Sequence, residues 1–348
     1  MIPIAMVTVP PEIIAAISLS FAASYLAIPV FNRFMRAVGI VGSDIMKRDK
    51  GPIPDMGGPG VIVGFLLGIF IYIGLEVFSN RNFTGLIDIL ASLNTILIIT
   101  LIGVFDVLTA LMRQREGKDL FERLKRRGIP PWLYFLIPLP AAVPLMAVNA
   151  GVTSMVLPFI GRVELGAIYP LVLVPLVVLC LANATNFLAG FNGLEAGMGV
   201  VLLVSLGVFA LISNKLPAAA LALTFAAALL SFLRYNWYPA KVFPGDLNYT
   251  IGAVGACVTI LGNMEKFAIL CFTPWIIEAV LKALSGFKAE NYGVLQKNGV
   301  VKPRETKIRS LTHLVMKSGD YTEKQVSSIL IGFEIAVCAV AFVVIQYI

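Results

Sequence analysis

A chain of 348 residues that is 58% hydrophobic and only 14% charged cannot clothe a soluble domain in polar surface. Its mean hydropathy of +0.89 places it in the membrane class. The formal net charge of +7 does not mark a nucleic-acid binder, because the basic residues segregate with topology rather than forming a basic domain. Cys180, Cys257, Cys271 and Cys338 all lie in apolar runs and read as small core residues; one histidine excludes a zinc spacing.

A spanning helix needs about 20 apolar residues. Ten such runs are predicted, at 11–32, 57–77, 86–109, 130–149, 167–187, 194–213, 216–233, 247–263, 266–285 and 325–347. The first has no Lys or Arg before it, so it lacks the basic region of a cleavable signal and is expected to stay. The fourth carries Pro138, Pro140 and Pro144 and is expected to kink. The expected fold is all-α: a polytopic membrane protein of about ten transmembrane helices in one integral domain, with 286–324 as a loop able to hold a small subdomain. Alternate connections hold 23 of the 27 Lys and Arg, against four, Arg81, Arg162, Lys215 and Lys266, on the other side. The positive-inside rule then places the basic connections in the cytoplasm and both termini outside. "NFT" at Asn82 matches a glycosylation sequon, but in a short outer loop close to the membrane, where modification is not expected.

Ionisable groups at membrane depth are costly, so they are candidates for chemistry. Asp106 closes the third span, Asn183 and Asn186 close the fifth, Asn192 and Glu195 belong to the turn into the sixth, and Asp246 opens the eighth. Asp44, Asp49 and Asp55 lie in the first basic connection. All fall on one membrane face. Blander roles stand beside the chemical one: a helix N-cap for Asp246, interhelical glue for Asn183 and Asn186, and an ion pair with the adjacent basic loop for Asp106. Glu278 and Glu334 read as helix-contact residues, and His313 as an interfacial one.

The stretch "NATNFLAGFNGLEAG", 183–197, sets amides and a carboxylate among three glycines. Asn186 and Asn192 are six residues apart, which is not one helix face. They address one ligand only if the helix breaks near Gly190, and such a break must line a polar cavity because lipid cannot satisfy freed backbone groups. The carboxylates of Asp106 and Asp246, with the amide oxygen of Asn186, form an oxygen donor set suited to Mg²⁺. The basic loops suit phosphate or pyrophosphate. Together they point to phosphoryl transfer between a soluble nucleotide and a lipid. Neither a Walker A motif nor the D-G-x-x-A-R series of CDP-alcohol transferases is present.

The same stretch resembles the N-A-x-N-x-x-x-G-x-N-G-L-E-x-G segment of the polyprenyl-phosphate N-acetylhexosamine-1-phosphate transferases. "VFPGDLNYTIGA", "GVFDVLTAL", "IPDMGGPG" and the proline-marked "FLIPLPAAVPLMAV" resemble further motifs of that family, in order along the whole chain. The resemblance implies that Asn186 and Asp246 hold Mg²⁺, with Mn²⁺ as a substitute. It implies that Asn192 and Asp55 contact a uridine nucleotide, with Ser43, Asp44, Ile45 and Glu195 on the substrate side. Segment 180–187, including Asn183, would border the lipid-phosphate groove. Lys125, or its neighbours Arg126 and Arg127, would touch the lipid phosphate. Two departures stand out. Phe105 precedes Asp106 where many relatives carry two aspartates, and the histidine-rich loop of the bacterial pentapeptide branch is missing. The eukaryotic Arg-His-Arg element falls on Lys288, Ala289 and Glu290, leaving Lys288 for sugar or pyrophosphate.

The implied activity is Mg-dependent transfer of a sugar 1-phosphate, GlcNAc-1-phosphate by resemblance, from a UDP-sugar to polyprenyl or dolichyl phosphate. Asp106, Asp246 and Asn186 are the catalytic candidates, and direct attack by the lipid phosphate is favoured over a covalent aspartyl-phosphate. The pattern resembles an archaeal enzyme of protein glycosylation in the plasma membrane, or the ER membrane if eukaryotic, with its site facing the cytoplasm. Its partners would be the UDP-sugar, the lipid phosphate and the membrane, not nucleic acid; a homodimer is left open. The rival reading is a secondary transporter of a phosphorylated solute, since broken helices with polar turns serve transporters too. Such breaks usually sit at the midplane in two repeated halves, whereas these gather at one face without a repeat.

Overall fold

The computed structural model describes residues 8–48, 51–115, 135–152, 154–157, 161–245 and 247–347. Helix α1 (Pro11–Val38) starts on a proline, whose missing N–H costs nothing in a first turn, and stops at Gly39, held at φ 75°. Strands β1 (Val41–Ser43) and β2 (Pro52–Pro54) form an antiparallel ribbon pairing Val41 with Pro54 and Ser43 with Pro52. Helix α2 (Gly58–Gly74) runs into a π-helical turn, Leu75–Ser79, and α3 (Leu86–Arg115) follows. A 3₁₀ turn (Leu139–Ala142) and α4 (Val143–Ala147) lead to a second ribbon, β3 (Ser154–Leu157) with β4 (Gly161–Glu164). Then come α5 (Val174–Phe187), entered through a π turn at Tyr169–Leu173, α6 (Leu194–Ile212), α7 (Leu216–Asn236) and α8 (Leu247–Gly262). They are followed by α9 (Glu265–Cys271), α10 (Thr273–Leu284), the ribbon of β5 (Gly293–Leu295) with β6 (Val301–Pro303), α11 (Leu311–Ser318) and α12 (Glu323–Val344). A capping box between Thr322 and Gln325 fixes the start of α12.

Among the described residues seven helices are long and apolar enough to cross a membrane, or eight if α9 and α10 form one span bent by 65°. This is the architecture of a polytopic membrane protein. The break between α9 and α10 follows from Pro274 in the first turn of α10, which has no N–H to offer α9 and would clash with the carbonyl one turn back. Two of the ten expected spans differ. Helix α8 has only 16 residues, nearly all buried. Packed against α3, α5, α6 and α7, it needs no lipid-matching length. The expected fourth span lies partly outside the described residues; from Pro138 onward its three prolines leave only a 3₁₀ turn and a five-residue helix. The all-α expectation also missed the three short ribbons, all of them in connections.

The most enclosed span is α7, whose alanine-rich sequence lets α1, α2, α6 and α8 approach closely. Ser20 of α1 donates to the Thr224 carbonyl of α7 at 2.8 Å. The connections after α1, between α5 and α6, between α7 and α8, and after α10 meet at one end of this bundle and enclose a cavity.

Candidate active site

The cavity has a volume of about 570 Å³. The β1–β2 ribbon supplies Ser43, Asp44 and Ile45 from one arm and Asp55 from the other; the end of α5 supplies Asn186, and the following turn and α6 supply Asn192 and Glu195. Seven of the residues singled out in the sequence thus share one wall. Asp106 does not line the cavity, although Val107 beside it does, and Lys288 is exposed outside it. Asn183 is buried and turned away, its amide donating to the carbonyls of Leu179 at 2.8 Å and Phe135 at 3.0 Å. Asp246 and Lys125, with Asp49, Arg126 and Arg127, lie outside the described residues. Gly245 and Asn248, on either side of Asp246 in the sequence, line the cavity.

The helix does break between Asn186 and Asn192: α5 ends at Phe187 and α6 begins at Leu194. Gly190 sits at φ +109°, and a Cβ there would stand 2.5 Å from the Tyr292 ring, so both the backbone and the neighbour require glycine. Side chains from elsewhere hold the freed backbone of this turn. Glu195 Oε1 accepts from Gly190 N at 2.6 Å, Glu323 Oε1 from Asn192 N at 2.9 Å, and Asn236 Oδ1 from Gly193 N at 3.0 Å. Ser327 donates to the Asn192 carbonyl at 3.0 Å. Asn236 also donates to Val242, tying the turn to the segment that enters α8. Satisfying broken backbone groups in this way helps to keep an irregular segment at membrane depth stable.

With its backbone clamped, Asn192 is free to use its side chain, which donates to Asp44 Oδ2 at 3.0 Å. Lys47 faces the same oxygen at 2.7 Å. Burial pushes the Asp55 carboxyl above its ordinary range despite hydrogen bonds from the N–H groups of Met56 and Gly245. Burial, then the charges of Glu195 and Asp55, likewise push the Tyr292 hydroxyl up.

Among the buried side-chain oxygens without a partner in the described residues, two belong to residues that line the cavity, Glu195 Oε2 and Asn248 Oδ1. An orphaned oxygen in a polar cavity invites a ligand that accepts lone pairs. With Asn186, which lines the same cavity, these atoms offer oxygens alone, a chemistry that fits a hard divalent cation. Among the described residues no group of three His, Cys, Asp or Glu side chains gathers for a metal, so amides carry much of that donor set.

Asn236, Phe243, Asn248 and Tyr292 also line the cavity and were not singled out in the sequence. Asn248 sits two residues from Asp246, where helix phase could have flagged it. Tyr292 comes from a loop far along the chain, and no local pattern announces it. His313 is buried within the protein, its Nε2 2.8 Å from the Glu290 carbonyl.

The family described as "Glycosyl transferase family 4" matches residues 89–263, from α3 to the end of α8. A Saccharolobus solfataricus protein, provisionally named a UDP-N-acetylglucosamine–dolichyl-phosphate N-acetylglucosaminephosphotransferase, is 34% identical over 96% of this chain and 97% of its own length. A Sulfolobus acidocaldarius protein with the same provisional name is 33% identical over 87% of this chain and 88% of its own. The Dictyostelium discoideum UDP-N-acetylglucosamine–dolichyl-phosphate N-acetylglucosaminephosphotransferase is 27% identical over 89% and 83%. The family match reaches half of the chain and the first relative nearly all of it, so this chain belongs to glycosyl transferase family 4.

Proposed function

We propose that the cavity transfers a sugar 1-phosphate, N-acetylglucosamine 1-phosphate by the names of the relatives, from a UDP-sugar to polyprenyl or dolichyl phosphate, releasing UMP. This would be the first step in assembling a lipid-linked oligosaccharide. The observation that carries the reading is the oxygen-lined cavity at one bundle end, built around the Asn186-to-Glu195 turn. The segregation of basic residues supports a cytoplasmic site.

In this reading Asn192 and Asp55 hold the nucleotide, and Asp44 fixes the amide of Asn192. Asn186 and Asp246 would hold Mg²⁺, with Asn248 offering a further oxygen; the cation supplies charge neutralisation on the pyrophosphate. Glu195 secures the turn through Gly190. The lipid phosphate is a monoester with a second pKa of about 6, so it is largely dianionic at pH 7. Asp106 takes any residual proton. An oxygen of the lipid phosphate attacks the phosphorus that bears the sugar, a new P–O bond forms, and the bond to UMP breaks with the electron pair leaving on UMP. Positioning and charge neutralisation then supply most of the acceleration.

The test is UMP release by purified protein given a polyprenyl phosphate, a panel of UDP-sugars and Mg²⁺, with a chelator control. UMP formation that needs both lipid phosphate and cation supports the reading and identifies the sugar. No UMP with any donor, together with uptake of a phosphorylated solute by proteoliposomes, would establish the transporter instead.

A further inference from the structure

Behind the cavity wall lies a buried polar cluster. Three consecutive backbone carbonyls, of Ala289, Glu290 and Asn291, are each taken by a different side chain. Lys282 Nζ donates to Ala289 O at 2.6 Å and Thr312 Oγ1 to Asn291 O at 2.9 Å, and His313 Nε2 lies 2.8 Å from Glu290 O. A carbonyl only accepts, so Nε2 of His313 carries its proton. Glu278, one turn before Lys282 on α10, faces it at 3.8 Å and also accepts from Leu311 N at 2.7 Å and Ser310 Oγ at 3.1 Å. It thereby caps the helix that brings Thr312 and His313 to the strap.

The strap leads to the site. The Asn291 amide donates to the carbonyls of Phe187 at 2.7 Å and Ala189 at 2.8 Å, satisfying orphan acceptors at the end of α5 directly after Asn186. Tyr292 then stands against Gly190 and lines the cavity. Glu278 is 0% and Lys282 6% exposed. Desolvating such a pair offsets most of its attraction, so added stability is a poor account of its presence; fixing one geometry is a better one.

We propose that Lys282, set by Glu278, is a positioning residue: it fixes segment 289–292 and through it the end of α5 that presents Asn186 and the turn at Gly190. For its kinetic readout the proposal rests on the transferase reading; its structural readout does not.

The experiment compares wild type with E278Q/K282M, K282R and N291D. The double variant removes both charges together and leaves an oxygen at 278 for Leu311 N and Ser310. It is expected to melt within about 3 °C of wild type, to lose hydrogen-exchange protection at 188–193, and to lower kcat about tenfold. K282R keeps donor and charge and is expected to recover most of both. N291D breaks the link to α5 without touching the pair and is expected to lose the same protection, which keeps the test decisive if the double variant does not fold. Protection at 188–193 equal to wild type in N291D, or in a folded double variant whose changes stay within 285–292 and 310–313, overturns the proposal. Absence of UMP release by wild type would sink the transferase reading alone, while the exchange data still decide the positioning role.

Discussion

Asn192 and Asp44, 148 residues apart, are joined by a 3.0 Å hydrogen bond from the asparagine amide to Oδ2 of the aspartate. That bond orients the amide before any ligand arrives, and Lys47 keeps Asp44 charge-balanced without it. Asn192→Ala is therefore expected to raise KM for the UDP-sugar about tenfold while kcat at saturation falls less. Steady-state kinetics over a wide donor range check this. A large loss of kcat at unchanged KM would remove Asn192 from nucleotide binding.

Gly190→Ala meets two obstacles, a φ of +109° and the Tyr292 ring. It is expected to cost about 1–3 kcal/mol of stability and most of the activity. Adding Tyr292→Ala relieves the clash but not the backbone strain, so melting temperature should recover only in part. Full recovery would locate the whole effect in the ring.

The raised Asp55 carboxyl yields a prediction with a definite sign. A folded-state pKa above the unfolded one means that ionisation opposes folding. The penalty is absent below the unfolded value, grows as pH rises from there to the folded value, and is constant beyond it. Asp55→Asn keeps an acceptor for Met56 N and carries no charge. It should melt higher than wild type at pH 7, with the gap closing toward pH 4, while its UDP-sugar KM rises. Thermal scans across that range test it; a lower melting temperature at pH 7 would contradict the assignment.

Asn248 presents a buried oxygen with no partner among the described residues, and its backbone carbonyl is separately held by Thr185 at 2.8 Å. Asn248→Ala should leave the backbone in place and raise the Mg²⁺ concentration for half-maximal rate about tenfold, a loss of about 1.4 kcal/mol. An unchanged Mg²⁺ titration with reduced rate would show that the oxygen serves the substrate instead.

Asp106 is exposed on α3 beside Phe105, which cannot accept a proton. If its task is to remove a residual proton from the lipid phosphate, Asp106→Asn should slow turnover at neutral pH and regain rate under alkaline conditions. A pH–rate profile of kcat at saturating Mg²⁺ decides. Equal inactivity at every pH would make Asp106 a nucleophile or a fixed charge instead.

Much of this site was legible in the chain because it is built from local breaks in apolar runs. Asn186, Asn192 and Glu195 stand out as polar groups where lipid forbids them, and glycine at 190 marks the turn. Asp44 and Asp55 could be placed at the same face by counting spans. What pairing or depth they have could not be read, because it depends on a ribbon of two three-residue strands too short to signal itself. Asn183 shows the limit from the other side: it has the same residue type, motif and helix as Asn186, but three positions turn it toward Leu179 and Phe135. Tyr292 and Asn291 were hidden because their significance lies in contacts with a segment about a hundred residues away, and Lys282 because it acts only through the strap that carries them.

The backbone of Asn192 is gripped by Glu323 and Ser327, in the first turns of α12, 131 residues later in the case of Glu323. For a protein threaded into its membrane as it is translated, this sets a schedule. The earlier helices can insert and pack while the turn still lacks two of its restraints. A chain ending before α12 would hold the recognisable motif while its turn lacked both restraints. The order of the turn thus depends on a helix that leaves the ribosome well after it, so the motif is made before the contacts that hold it.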